Sequence, residues 1–197
     1  MLSKMFYEGA DYEEVLKEAQ EKGYAERNPE ADVEGYDACR KIAILSSLIS
    51  GQQVDFEDIY TEGITQITKE DMMYAKAMGM TIKLLACSRR DEDHIHAIVA
   101  PYLLSSSHPL YSVNDVFNAI FVHGNVLGDA MFYGSGAGKL PTASAVVSDI
   151  VDEVKHLNRN IMTMWDQDKV ELLPISDTSK RFFVRIKGCL LYTSPSP

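Results

Sequence analysis

The chain has 197 residues, 46% of them hydrophobic and 24% charged, a composition typical of one globular domain with a single core. Its formal net charge of −10 would repel a phosphate backbone, so we expect no nucleic-acid partner. The longest apolar runs fall far short of the roughly 20 residues that a membrane-spanning helix needs. Cys39, Cys87 and Cys189 are widely separated, which favours a reducing, cytoplasmic compartment over a disulfide framework.

Two helices joined by a polar loop are predicted in the first third of the chain. A helix is expected over residues 11–22, where apolar residues recur at helical spacing and Asp11 and Glu14 match a capping box. The polar, turn-rich residues 24–36 predict an ordered loop without helix or strand. A second helix is predicted over residues 37–50. Its apolar stripe is expected to pack into the core: Ile42, Leu45, Leu48 and Ile49.

The pattern then changes from helices to strands. A third helix begins at Thr68, with Asp71 in the capping-box position, and short segments rich in β-branched and aromatic residues follow it. Strands are expected over residues 81–88, 94–101, 119–123, 129–133 and 181–187. A short helical piece is expected around 114–118 and a long helix over 141–157. This order predicts an α+β fold, a mixed β-sheet with helices packed on one face.

Two histidines share one face of a predicted strand. His94 and His96 could in principle hold a metal ion, but no third ligand is close in sequence. We therefore expect no metal site and two solvated side chains.

Carboxylates are concentrated in the loop before the second helix. Glu26, Asp32, Glu34 and Asp37 lie in a stretch constrained by glycine and proline, and Lys41 follows one turn inside the helix. Asp37 and Lys41 are four residues apart, so they share a helix face and can contact the same ligand. Two interpretations stand on the residues alone. The carboxylates bind a ligand's ammonium group while Lys41 exchanges a proton, or the pair is a surface ion pair beside a solvated acidic loop.

A glycine-rich turn, GSGAGK over residues 134–139, precedes the long helix near the C-terminus. Glycines let backbone N–H groups approach an anion, and a helix N-terminus adds a favourable field. The turn is neither a dinucleotide fingerprint nor a P-loop, since Leu140 stands where a P-loop requires Ser or Thr. A tight structural turn and a nucleotide contact both remain open.

The stretch AQEKGYAERNPEADVEGYDACRK, residues 19–41, resembles the signature of homoserine dehydrogenases in residue identity and spacing. The resemblance continues through TEGITQIT and GSGAGKLPTASAVVSDIV and covers residues 1–156. It implies an enzyme of threonine, methionine and isoleucine biosynthesis that interconverts L-homoserine and L-aspartate 4-semialdehyde with NADP or NAD. The alternative is a non-catalytic amino-acid-binding regulatory module of the same fold, against which the retained lysine and carboxylates argue.

The resemblance also implies roles for single residues. Lys41 is the expected acid/base, Glu26 and Asp37 are expected to bind the amino acid, and Asp32 is a weaker candidate for the same pocket. Glu34 is expected to be solvated. The candidates for cofactor contact are Gly138 and then Gly136.

The family's domain order implies that residues 1–165 form the substrate-binding and catalytic domain. Residues 166–188 are expected to be a linker and the first strand of a truncated, ACT-like regulatory domain. Residues 189–197 match nothing before them in composition and are expected to be an artefactual tail. A nucleotide-binding domain is expected to precede the chain, because its glycine fingerprint is missing, and the fragment alone is expected to be inactive. We expect a homodimer, since an uncovered sheet face would expose an apolar patch.

Overall fold

A computed structural model describes residues 1–25, 27–91, 94–136, 138–159 and 165–186. The helices are α1 (Leu2–Glu8), α2 (Tyr12–Glu21), α3 (Glu30–Val33), α4 (Tyr36–Ser50), α5 (Lys69–Ala77) and α6 (Lys139–Lys155). The strands are β1 (Gln52–Gln53), β2 (Tyr60–Thr61), β3 (Met80–Asp91), β4 (His94–Ser105), β5 (Phe117–Gly124), β6 (Gly128–Ser135) and β7 (Asp166–Lys169). Short 3-10 helices span Phe56–Asp58, Pro109–Ser112 and Ile175–Asp177. Among the described residues, none of the helices has both the length and the apolar surface needed to span a bilayer.

The central sheet has the strand order β2-β4-β3. β3 and β4 pair in antiparallel fashion along their whole length, and β2 joins the other edge of β4 in parallel. The sheet is therefore mixed, as predicted. β5 and β6 form a separate antiparallel hairpin, and β1 pairs in parallel with β7.

Helices α1, α2, α4 and α5 pack on the sheet face that presents Ile82, Leu84 and Ala86. One core cluster joins α1, α2 and α5 to β3: Leu2, Met5, Phe6, Val15, Val33, Ile64, Met72, Ala75 and Ile82. A second cluster joins α4 to β4: Cys39, Ala43, Val54, Ile59, Ile95 and Val99. Leu84 packs against both clusters. Helices on one face of a mixed sheet confirm the predicted α+β class.

Local signals placed the helix starts correctly. α2 begins after Asp11, whose backbone N–H donates to Glu14 Oε2 at 3.3 Å. α5 begins after Thr68, whose backbone N–H donates to Asp71 Oδ2 at 2.9 Å. Both capping boxes are formed because each involves residues only three positions apart.

The predicted buried face of α4 is correct only in part. Ile42 packs against the second core cluster and Leu45 is half-buried, but Leu48 and Ile49 are exposed. The side chains that the helix buries fully are small: Cys39, Ala43, Ser46 and Ser47. Ser46 Oγ donates to Ser88 Oγ at 2.7 Å, and Ser47 Oγ accepts from the backbone N–H of Val54 at 2.9 Å. Because the hydroxyls are satisfied, the small residues can be buried and α4 can lie close to the sheet.

Three further predictions need correction. The expected loop over residues 24–36 contains the helical turn α3, which starts directly after Pro29. The helix expected around 114–118 is absent; a 3-10 helix forms earlier, over Pro109–Ser112, and residues 114–117 form a turn into β5. No strand forms over residues 181–186, where Arg185 donates to Thr68 Oγ1 at 2.7 Å in place of ladder pairing. Residues 187–197, with the predicted tail, lie outside the described residues.

Candidate active site

The loop before α4 is seated on the backbone of residues 61–64. The backbone N–H of Ile64 donates to the carbonyl oxygen of Val33 at 2.7 Å. A Cβ at Gly63 would lie 2.3 Å from that oxygen and 2.5 Å from the Cα of Glu34. The two segments can therefore approach this closely only because residue 63 has no side chain.

Gly35 fixes the point where α4 begins. It is the N-cap of the helix, with φ 80°, and its carbonyl accepts the N–H of Cys39 at 2.9 Å. A Cβ at Gly35 would lie 3.1 Å from Val99 Cγ1 and 3.4 Å from Thr61 Cγ2. The start of α4 is thus held against β2 and β4, and the first two turns of the helix have a defined position.

Asp37 and Lys41 lie on those first two turns. Lys41 Nζ is 2.6 Å from Asp37 Oδ2, and the two side chains are 72% and 50% exposed. The predicted contact is therefore formed on an open face of α4. The Asp37–Lys41 contact has the geometry of a surface ion pair, which contributes at most about 1 kcal/mol to stability. The same contact holds the Lys41 ammonium group where a ligand could reach it.

The other predicted carboxylates have different surroundings. Asp32 lies on α3 and is exposed, and Glu26 lies outside the described residues. Glu34 was expected to be solvated, but it is half-buried, and its Oε2 would lie 2.7 Å from a Cβ at Gly63. Burial raises the pKa of Tyr12 on α2, and the nearby Glu34 carboxylate raises it further. Glu34 therefore belongs to the packed base of the loop.

A cavity of about 290 Å³ opens beside the first turns of α4. Its lining comes from α4, the first 3-10 helix and β2: Tyr36, Cys39, Arg40, Phe56, Glu57, Ile59 and Thr61. Asp37 and Lys41 are not among these residues and point from a neighbouring face of the helix. A ligand held by Lys41 would therefore rest on an open surface of the described chain.

The glycine-rich turn leads from β6 into α6. Gly138 is the N-cap of α6 with φ 117°, a conformation that L side chains rarely adopt. Gly136 is close to Asn118, whose Nδ2 would lie 1.8 Å from a Cβ at residue 136. The N–H of Gly136 donates to the carbonyl of Val116 at 3.0 Å. Packing thus explains Gly136, while Gly138 opens a helix whose first N–H groups have no intrahelical acceptor.

The described residues contain no group of three or more side chains placed to hold a metal ion. His94 is exposed, as expected. His96 is partly buried, with Nε2 3.8 Å from Asp91 Oδ2. The expectation of two solvated histidines is therefore wrong for His96.

Comparison with known proteins decides the family. A family model for homoserine dehydrogenase matches residues 1–151. The chain belongs to the homoserine dehydrogenase family. It is 48% identical to homoserine dehydrogenase from Bacillus subtilis (strain 168) over 161 residues, covering 82% of this chain and 37% of that protein. It is 44% identical to the enzyme from Synechocystis sp., covering 94% of this chain and 46% of that protein.

Solved homoserine dehydrogenases share the fold. A crystal structure from Thiobacillus denitrificans superposes with a TM-score of 0.78 at 41% identity, covering 88% of this chain and 42% of that one. A hyperthermophilic archaeal homoserine dehydrogenase, solved in complex with NADPH, gives a TM-score of 0.62 at 30% identity, covering 80% and 44%. The chain thus spans less than half the length of these family members.

Proposed function

We propose that this chain is the substrate-binding and catalytic domain of an NAD(P)-dependent oxidoreductase that interconverts L-homoserine and L-aspartate 4-semialdehyde. The observation that carries the proposal is the Asp37–Lys41 pair, held at 2.6 Å on a helix start that Gly35 and Gly63 fix in place. The pair lies within the stretch that resembles the family signature. Membership in the homoserine dehydrogenase family supports this substrate and a role in amino-acid biosynthesis.

Lys41 suits the role of proton donor in the reducing direction. The nicotinamide, when bound, supplies the hydride to the aldehyde carbon. As negative charge grows on the aldehyde oxygen, the Lys41 ammonium stabilises it and delivers a proton. Asp37, 2.6 Å from Nζ, orients the lysine by a charge-assisted contact. In the oxidising direction the neutral amine of Lys41 takes the proton from the hydroxyl.

The substrate's α-ammonium needs an anionic acceptor, which a carboxylate supplies. Glu26 is our first choice for this partner. Asp37 serves as a second partner that also touches the lysine, and Asp32 is the weaker candidate. All three belong to the loop and helix start that precede Lys41.

The glycine-rich turn fits an anionic nucleotide, NADP or NAD. Gly138 leaves space at the start of α6, where free N–H groups and the helix dipole favour negative charge. Gly136 is the second candidate for cofactor contact, and its own N–H and the space beside it are already taken by Val116 and Asn118. The archaeal relative solved with NADPH supports a nicotinamide cofactor for this chain.

In this proposal, the full-length protein also contains a preceding nucleotide-binding domain, which accounts for part of the additional length of the family members. No described side chain of α6 is buried, although the helix carries apolar residues: Val146, Val147, Ile150, Val151 and Val154. A covering domain would remove this surface from water.

Residues 166–188 would link to an ACT-like regulatory domain. The parent protein would be a cytoplasmic homodimer. Sedimentation as a monomer at micromolar concentration would count against the dimer.

Steady-state kinetics on the full-length enzyme that contains this chain test the site. Lys41→Ala should lower kcat by about 10² to 10⁴-fold with a smaller effect on KM, as for a positioned acid/base. Glu26→Ala should act mainly through KM for homoserine, because the ammonium contact exists in both ground and transition states. Asp37→Ala should damage both parameters.

The matched control is Lys22→Ala. Lys22 forms an exposed ion pair with Glu18, four residues earlier on α2, so it has the geometry of the Lys41 pair without the proposed role. Its kinetics should match the wild type. A Lys41→Ala enzyme with a near-normal kcat would remove the catalytic assignment and leave only the surface ion pair.

A further inference from the structure

A half-buried lysine lies on β3, the edge strand of the central sheet. Lys83 stands between Ile82 and Leu84, which pack under the helices, and its amine lies near the N-terminal amine of Met1, at the start of α1. Its Nζ donates to the carbonyl of Val113 at 2.5 Å and to Asn114 Oδ1 at 2.6 Å. Burial lowers the pKa of this lysine, so placing an ammonium here has an energetic cost that the two oxygen acceptors offset.

Lys83 contacts a tight turn. The N–H of Phe117 donates to the carbonyl of Asn114 at 3.1 Å, which closes the turn that leads into β5. Asp115 inside the turn has φ 57°, a left-handed conformation that aspartate tolerates better than most residues other than glycine. Lys83 contacts the two residues directly before it, and the Ser3 hydroxyl of α1 also donates to Asn114 Oδ1, at 3.2 Å.

The same turn sets the position of the glycine-rich segment. The carbonyl of Val116 accepts the N–H of Gly136 at 3.0 Å, and the Asn118 amide fills the space beside Gly136. The Phe117 ring stacks on Tyr133 at 4.9 Å between ring centroids. Hydrogen bonds and packing therefore run from β3 through the turn to the residues before α6.

We propose that Lys83 is a positioning residue for the cofactor: it clamps residues 113–117 to the sheet and thereby sets where Gly136 and the start of α6 stand. An apolar side chain of the same length cannot donate to either acceptor, so a nitrogen donor is required at this position. What the turn binds rests on the proposed function; the clamp itself rests on the contacts of Lys83.

Amide hydrogen exchange on the 197-residue chain tests the clamp. Lys83→Met should raise exchange at the amides of Phe117 and Gly136 by about tenfold or more. Lys83→Arg, which keeps a charged donor, should restore slow exchange. Lys76→Met, at an exposed position of α5, is the matched control and should leave both amides unchanged.

A second variant covers the case in which Lys83→Met does not fold. Asn114→Ala removes one of the two acceptors and should give a smaller rise at the same amides. Unchanged exchange at Gly136 in the folded variants, whether Lys83→Met or Asn114→Ala, would overturn the proposal.

Kinetics of the full-length enzyme separate positioning from general stability. Lys83→Met should raise KM for NADPH severalfold with kcat within twofold of wild type, and Lys83→Arg should reverse the rise. Gly138→Ala separates two ways in which this prediction can fail. If Gly138→Ala raises the KM for NADPH and Lys83→Met does not, the positioning role of Lys83 is overturned. If neither variant changes the KM for NADPH, the turn does not contact the cofactor, and both the proposed function of the turn and the role of Lys83 toward the cofactor fail. Exchange at Gly136 then still decides whether the clamp exists.

Discussion

Replacing Gly63 with alanine should disturb the seat of α4. The added Cβ would meet the Val33 carbonyl oxygen at 2.3 Å and the Glu34 Cα at 2.5 Å, and both are backbone atoms that cannot rotate away. Forcing the segments apart should cost about 1–3 kcal/mol, as overpacking does. Stretching the 2.7 Å hydrogen bond from Ile64 to Val33 should add about 1 kcal/mol. We expect Gly63→Ala to lower the free energy of unfolding by about 2–4 kcal/mol in total.

Urea unfolding followed by circular dichroism measures this loss, with two glycine variants as controls. Gly134→Ala meets nothing within 4 Å and should be neutral or slightly stabilising, because alanine reduces the entropy of the unfolded chain. Gly51→Ala also meets nothing within 4 Å, but its φ of 75° should cost about 1 kcal/mol. The expected order of destabilisation is Gly63, Gly51, Gly134.

The same variant should affect the candidate site. Because the displaced segment leads directly into α4, Gly63→Ala should shift the NMR signal of the Lys41 side chain, while Gly51→Ala, at the far end of the helix, should not. A Gly63→Ala chain as stable as Gly134→Ala, with an unshifted Lys41 signal, would refute the close-approach reasoning.

Further predictions concern a helix cap and two titrating groups. Thr68→Ala should lower the free energy of unfolding, measured in urea, by about 1 kcal/mol. The substitution removes a hydroxyl oxygen that accepts hydrogen bonds from the backbone N–H of Asp71 and from the Arg185 side chain. Hydrogen bonds from Lys22 and Lys4 lower the pKa of Glu18 to about 2, so this stabilisation is present above pH 4.5 and is lost as the pH falls toward 2; NMR titration should show the low pKa, and Glu18→Gln should remove that part of the acid dependence. Burial raises the pKa of Tyr102 to about 12, so its contribution to the free energy of unfolding is fully present below pH 10 and is lost as the pH rises through 12. Because the chain has ten tyrosines, the absorbance difference between wild type and Tyr102→Phe isolates this group, and ionisation near pH 10 in that difference would contradict the prediction.

Features that depend on residues close in sequence could be predicted without a structure. The capping boxes at Asp11 and Thr68, the bounds of α4 to within one residue, and the Asp37–Lys41 contact all follow from spacings of three or four residues. Helical geometry alone brings such residues together. The roles of Lys41 and Glu26 came from the resemblance, because the residues by themselves allowed an ordinary surface ion pair.

Features that depend on distant residues were decided only by the tertiary structure. α4 turns its small residues to the sheet because Ser46 finds Ser88 there, a partner 42 positions away that periodicity cannot reveal. A glycine is required at position 63 because a Cβ there would collide with the backbone carbonyl oxygen of Val33. In the sequence, Lys83 is only one polar position in a strand. Its role is visible only in the fold, which brings the carbonyl of Val113 to its amine. Periodicity in the sequence indicates which residues share a face of a helix or strand. The residues that this face contacts come from other parts of the chain, so only the tertiary structure identifies them.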